Sequence, residues 1–112
     1  MKFAVPLSEG KLAEHFGHCK NFAMVETDDN KKQIVNRNDV TAPPHQPGVL
    51  PAWVAGQGVN VVIAGGIGAK ARQLLNKQGV EVLIGAPVDV PELLVDAYLN
   101  GSLKSGPNLC DH

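Results

Sequence analysis

An α/β domain, with helices covering a mostly parallel sheet, is the fold class this sequence predicts. Three observations predict it: a short apolar strand at the start, a turn-linked pair of strands after it, and helix and strand signals that alternate from Gly48 to Gly101. With 112 residues, the chain can bury one core without disulfide or zinc staples. It reads as a single domain over residues 1–101 followed by a tail over 102–112.

Lys2 to Pro6 (KFAVP) is an apolar run stopped by proline, the pattern of a buried strand. The following LSEGKLAEHFGHCKN has no sustained period and two glycines, so it reads as a long loop, and long loops in compact domains usually carry function. Phe22 to Thr27 and Gln33 to Asn38 are strand-like, and DDNKK between them supplies turn chemistry for a hairpin. DVTAPPHQPG then stiffens a second loop with its three prolines. From Gly48 to Gly56, Val49 with Trp53 and Leu50 with Val54 stand at i,i+4 in a short helix that tolerates Pro51 in its first turn.

Asn60 to Ala64 (NVVIA) is continuously apolar, as a strand covered on both faces should be. Gly65, Gly66 and Gly68 turn the chain into a helix over Ala69 to Gln78, with Leu74 and Leu75 toward the sheet and Gly79 as its stop. Val80 to Ile84 repeats the buried-strand signal. Asp89-Val-Pro-Glu92 has the form of a capping box, from which a last helix buries Leu93, Leu94, Ala97 and Tyr98 and stops at Gly101.

Ten basic residues against eleven acidic ones give a net charge of −1, which provides no electropositive field for nucleic acid or an anionic membrane. No apolar run reaches the roughly 18 residues of a membrane span, and the N-terminus is unlike a signal peptide. A cytoplasmic monomer is expected, with Cys19 and Cys110 as thiols rather than a bridge. No carboxylate pair, GxSxG, P-loop lysine or HExxH occurs, so hydrolysis and phosphoryl transfer lack an apparatus and the expected role is not enzymatic.

Three of the six His and Cys residues crowd HFGHCKNF at 15–22. His15, His18 and Cys19 offer imidazole and thiolate donors suited to copper, zinc or a metal-sulfide cluster. The adjacent donors His18 and Cys19 close poorly around one ion in an extended chain, whereas a cluster with several metals tolerates that spacing. The bland alternative makes His15 a turn residue, His18 a solvated side chain and Cys19 a small buried hydrophobe. Gly65-Gly66-Ile67-Gly68 leads from a buried strand into a helix, so its amides and the helix dipole favour an anion, with Lys70 and Arg72 close by. Tight strand-to-helix packing explains the same glycines equally well. Gly66, Gly68 and Ala71 match GxGxxA, but no acid for a ribose ends the next strand. His45 is a further candidate ligand in its proline-rich loop, Cys110 and His112 form a possible chelating pair, and Trp53 and Tyr98 read as packing residues.

Taken together, KFAVPLSEG, HFGHCKNF, the FAMVET/QIVNRN hairpin, VNVVIAGGIGAKARQLL, GVEVLIG and DAYLNGSL resemble the dinitrogenase iron-molybdenum cofactor binding family of small NifX-like and NafY-like carriers. The resemblance spans nearly the whole chain in the family's order, with His18-Cys19 as a departure. It implies a ribonuclease-H-like three-layer α/β/α fold with sheet order 3-2-1-4-5 and strand 2 antiparallel. Members bind metal-sulfur clusters, and one orange-coloured branch carries a molybdenum-copper sulfide. On that strand order the loops bearing His15, His18 and Cys19, His45, and the glycine turn would meet beyond the strand ends where the order reverses.

The expectation is therefore a carrier of an anionic molybdenum-containing cluster, Mo-Cu-S or Fe-Mo-S, that exchanges it with donor and acceptor proteins. His15, His18 and Cys19 would touch metal, and His45, Gly65, Gly66, Ile67, Gly68, Lys70 and Arg72 would complete the site. A protein-interaction module and a mononuclear zinc or copper protein are the alternatives.

Overall fold

The computed structural model describes residues 1–28, 30–43 and 48–103, without the His18 side chain. Its elements are β1 (Lys2–Ser8), β2 (Lys11–Leu12), a 3-10 turn at Phe16–His18, β3 (Asn21–Asp28), β4 (Gln33–Thr41), α1 (Val49–Gly56), β5 (Val61–Ile63), α2 (Ala69–Lys77), β6 (Glu81–Leu83) and α3 (Pro91–Leu99). This is a mixed α/β fold with one open mixed sheet, ordered β4-β3-β1-β5-β6, and β2 paired to β1 off that path. β3 runs antiparallel to both β1 and β4, while β5 is parallel to β1 and to β6. The order reverses between β1 and β5, and the carboxyl ends of β1, β4, β5 and β6 share one rim.

The period of two along β1 sorts its side chains onto two faces. Ala4 joins Met24, Val62, Leu50, Val54 and Leu75, which puts α1 and α2 on one face. Phe3, Val5 and Leu7 join Val25, Ile63, Leu94 and Val95 beneath α3 on the other. The central strands are thus covered on both sides, which is why β5 (VVI) carries no polar position.

Several boundaries differ from the sequence expectation. β1 continues through Pro6 to Ser8 because β5 pairs only with Phe3 and Ala4, so proline's missing N–H costs no ladder bond to β5. The expected long loop is largely ordered: β1 turns at Glu9-Gly10 into β2, both turn residues having positive φ (53° and 83°), as a two-residue hairpin loop requires. The capping box does not form. Val90 is the N-cap of α3, the Asp89 carboxylate accepts, among the described residues, the adjacent Val90 N–H at 2.8 Å, and Glu92 instead takes both hydrogen bonds from Arg37 Nη1 at 2.7 and 2.8 Å. The buried face of α3 also differs from the expectation: Leu93 is 54% exposed while Leu94 and Val95 are buried. Leu75 of α2 is buried and Leu74 only half so.

Candidate functional site

Beyond β1 the chain does not swing clear of the rim. It returns along it as an extended segment held by three backbone bonds: Leu12 N–H to Asp89 O at 2.9 Å, Ala13 N–H to Pro6 O at 2.8 Å, and Phe16 N–H to Gly66 O at 2.8 Å. His15 and Gly66 form an isolated parallel bridge. The crevice at the strand-order reversal is therefore lined by the chain's own residues 12–16. Gly65 permits the approach, since a Cβ there would lie 3.0 Å from the Glu14 carbonyl oxygen. Close backbone packing, one of the two readings of the glycine turn, is thus correct at Gly65. At Gly68 an added Cβ would meet nothing within 4 Å.

Past Gly68, the N-cap of α2, the helix begins with no acidic residue in its first turn and no side-chain cap. Its first-turn amides have no intrahelical acceptor, and the macrodipole places partial positive charge there. Lys70 and Arg72 are exposed, Gly65, Gly66 and Ile67 are buried, and His15 is half-buried. The structure thus brings together His15, the glycine turn and the start of α2.

Cys19 does not join them. The 3-10 turn at Phe16–His18 folds it inward, where it is 1% exposed in the cluster that includes Phe16 and Phe22, and its thiol donates to the Phe16 carbonyl at 3.3 Å. Phe22 stacks edge-on with Phe16 at 5.5 Å and lies 5.6 Å from Trp53, so aromatic rings wall that core. Burial pushes the thiol up to about 11, against smaller opposing effects of backbone hydrogen bonds at Cys19 and Leu7. The structure thus packs Cys19 as a small core hydrophobe, apart from His15 and the glycine turn, where the expectation had it touching metal. His45, Cys110, His112 and the His18 side chain lie outside the described residues. Among the described residues no three His, Cys, Asp or Glu side chains converge to hold a metal ion, and no helix is long and apolar enough to cross a membrane.

The dinitrogenase iron-molybdenum cofactor model matches residues 1–101. The chain belongs to that family. It is 30% identical over 107 residues to an uncharacterized protein of Methanocaldococcus jannaschii, across 93% of this chain and 90% of that one. The crystal structure of PH0822 superposes with a TM-score of 0.85 at 26% identity, covering 94% of each chain. The apo form of the orange protein from Desulfovibrio gigas shares the fold with a TM-score of 0.74 at 22% identity, over 96% of this chain and 93% of that one. Membership in the family points to a cofactor-binding or carrier role.

Sequence reasoning missed a second feature. The β1–β2 hairpin and residues 12–15 border an open hollow of about 490 Å³, with Ser8, Glu9, Lys11, Glu14, His15 and Val88 around it. The signal for it was Glu9-Gly10 between Leu7-Ser8 and Lys11-Leu12, a two-residue hairpin loop that the reading of 7–21 as a loop passed over.

Proposed function

We propose that this protein is a non-enzymatic, cytoplasmic carrier of an anionic molybdenum-containing metal-sulfide cluster, held at the rim where residues 12–16 meet the start of α2. The observation that carries the reading is the His15–Gly66 bridge, which sets an imidazole-bearing residue beside a glycine turn and an uncapped helix N-terminus. The match to the cofactor family supports the class of cargo, and the orange-protein fold supports Mo-Cu-S alongside Fe-Mo-S as its chemistry. The helix order on the two sheet faces supports the ribonuclease-H-like three-layer arrangement.

The donor set fits a polysulfido-metallate better than a bare cation. First-turn amides of α2 with Lys70 and Arg72 offset negative charge, and His15 can ligate a metal or donate to a sulfide. With Cys19 withdrawn, electrostatics and hydrogen bonds carry more of the hold than metal-protein bonds. A mononuclear zinc or copper site has less support, because three ligating side chains do not converge among the described residues.

Anaerobic isolation followed by molybdenum, copper, iron and acid-labile sulfide analysis tests the proposal, together with visible spectra after adding tetrathiomolybdate and copper. Uptake of a sulfide-containing cluster with a new visible band is expected. In His15→Ala and in the Lys70→Ala/Arg72→Ala pair, retention falls about tenfold, as loss of roughly 1.4 kcal/mol of binding implies. A parent protein that takes up neither metal nor sulfide overturns the reading.

A further inference from the structure

We propose that β4 is the seam of a weak two-fold dimer, in which it pairs antiparallel with β4 of a second copy of this chain, Asn38 lying on the axis and Arg37 opposite the partner's Asp39. The two sheets then run on as one, in place of the monomer that the sequence suggests. Nothing in this pairing depends on the cargo.

β4 is the outermost strand on its side of the sheet, and among the described residues it pairs only with β3. It has nine residues, whereas β6 at the opposite edge has three. Natural edges are usually blunted by lysine, proline or a bulge. Here the bulge lies at the Val35 end, where Glu26 pairs with Asn36 but Thr27 with Ile34. From Asn36 to Thr41 the register is unbroken and holds no lysine or proline. Such an edge calls for an extended polypeptide, because it offers a row of backbone donors and acceptors.

The ladder fixes which groups face outward. Ala42 N–H donates to Lys20 O at 2.8 Å, and Thr27 N–H donates to Met1 O at 2.9 Å on the other side of β3. Alternation along an antiparallel pair therefore turns Asn36, Asn38 and Val40 toward β3 and leaves the N–H and C=O of Arg37, Asp39 and Thr41 on the open side. Two copies can bond only in registers that set these outward residues opposite one another. Centring on Arg37 puts guanidinium against guanidinium, and centring on Asp39 puts carboxylate against carboxylate. Centring on Asn38 alone sets each Arg37 opposite the partner's Asp39, with both side chains on one face of the joined sheet. Arg37 already takes its own Asp39 at 2.9 and 3.1 Å, so the seam closes a ring of charges that alternate in sign. That self-match selects a second copy over an unrelated strand. With about four backbone hydrogen bonds and little buried area the dimer is weak, its Kd on the order of 0.1–1 mM. Antiparallel pairing also puts the two rims at opposite ends of the joined sheet, so the seam covers neither.

The test follows the full chain by sedimentation equilibrium and backbone amide NMR from about 0.02 to about 2 mM, a range that brackets this Kd. A monomer–dimer equilibrium is expected, with concentration-dependent shifts and slowed amide exchange at Arg37, Asp39 and Thr41. Asp39→Pro removes an outward N–H and no bond to β3, so it should fold as the parent does and stay monomeric. Asp39→Arg and Arg37→Asp each set like charges across the seam and should weaken self-association about tenfold. Mixed in equal amounts, these two variants should pair with each other at about the parental affinity, since opposite charges then face one another at both positions. A parent that stays monomeric at about 2 mM overturns the proposal. So does a dimer that survives Asp39→Pro, a set of shifts that maps outside residues 36–41, or a mixture that associates no better than its components. The map of the parent's own shifts keeps the proposal falsifiable where a variant fails to fold.

Discussion

Gly65→Ala tests whether residues 12–16 are seated by a backbone-to-backbone contact. The new Cβ would stand 3.0 Å from Glu14 O, 3.4 Å from Glu14 Cα and 3.5 Å from its carbonyl carbon. All three are backbone atoms, so no side chain can rotate away. The Glu14 segment must withdraw by a few tenths of an ångström, and the neighbouring Phe16 N–H to Gly66 O bond, 2.8 Å in the parent, lengthens with it. An extra methylene forced into a packed site costs about 1–3 kcal/mol. Replacing glycine by alanine returns about 0.4–1 kcal/mol through the unfolded chain, because the residue does not need positive φ. The net loss is roughly 1–2 kcal/mol, a fall in midpoint of about 1 M urea with unchanged slope. Gly68→Ala is the control: its φ of −65° and ψ of 148° suit any residue, and nothing lies within 4 Å. Its stability should stay within about 1 kcal/mol of the parent, since the loss of a glycine N-cap and the gain from the unfolded chain oppose each other. Parity of Gly65→Ala with the parent, or an equal loss at Gly68, would refute the seating argument.

Cys19 should resist iodoacetamide in the native protein at pH 8 and react at the ordinary thiol rate in urea, as read by peptide mapping, because burial raises it to about 11 and the thiolate is the reactive form. Cys19→Ala should cost about 1–2 kcal/mol of stability and leave cluster uptake at the parental level; lost uptake in a folded variant would return the thiol to the site. Glu92 is held below its ordinary value chiefly by the Arg37 hydrogen bonds. Its stabilisation is therefore fully present above the unfolded carboxylate value near 4.5 and is lost as pH falls through the lower folded value. Glu92→Gln should cost up to about 1 kcal/mol at pH 7, the Glu92 carboxylate being about half exposed, and denaturation curves of parent and variant should converge as pH falls through that lower folded value. Retention of the cluster should weaken with added salt, since screening shortens from about 10 Å at 0.1 M to about 3 Å at 1 M.

The sheet and its helices were legible where one physical requirement ruled the residues. NVVIA and VEVLI read as strands because burial on both faces excludes polar side chains, and Gly79 and Gly101 ended helices as glycines with positive φ do. Legibility failed where two local choices competed. Asp89 could cap α3, but Pro91 fits N1 and Arg37 of β4 claims Glu92, a long-range partner that no local pattern shows. Residues 7–21 look aperiodic because a hairpin, an extended plug and a 3-10 turn follow one another within a few residues each. For the candidate site, residue type and spacing singled out His15 and the glycine turn, and the His15–Gly66 bridge brings the two together. The fate of Cys19 was not, because a thiol is both a ligand and a hydrophobe, and only the Phe16–Phe22–Trp53 wall decides between them.

That wall and the plug explain each other. An open α/β sheet normally leaves its ligand crevice at the reversal point between strands, here β1 and β5. In this chain residues 12–16 line it, held by their backbone bonds to Asp89, Pro6 and Gly66 and anchored from below by Ala13 and Phe16, which turn into the core where Cys19 follows. What the rim leaves open is the start of α2, whose first turn carries no side-chain cap and stands beside the His15–Gly66 bridge, so any loosening of residues 12–16 bears on the turn that opens that helix.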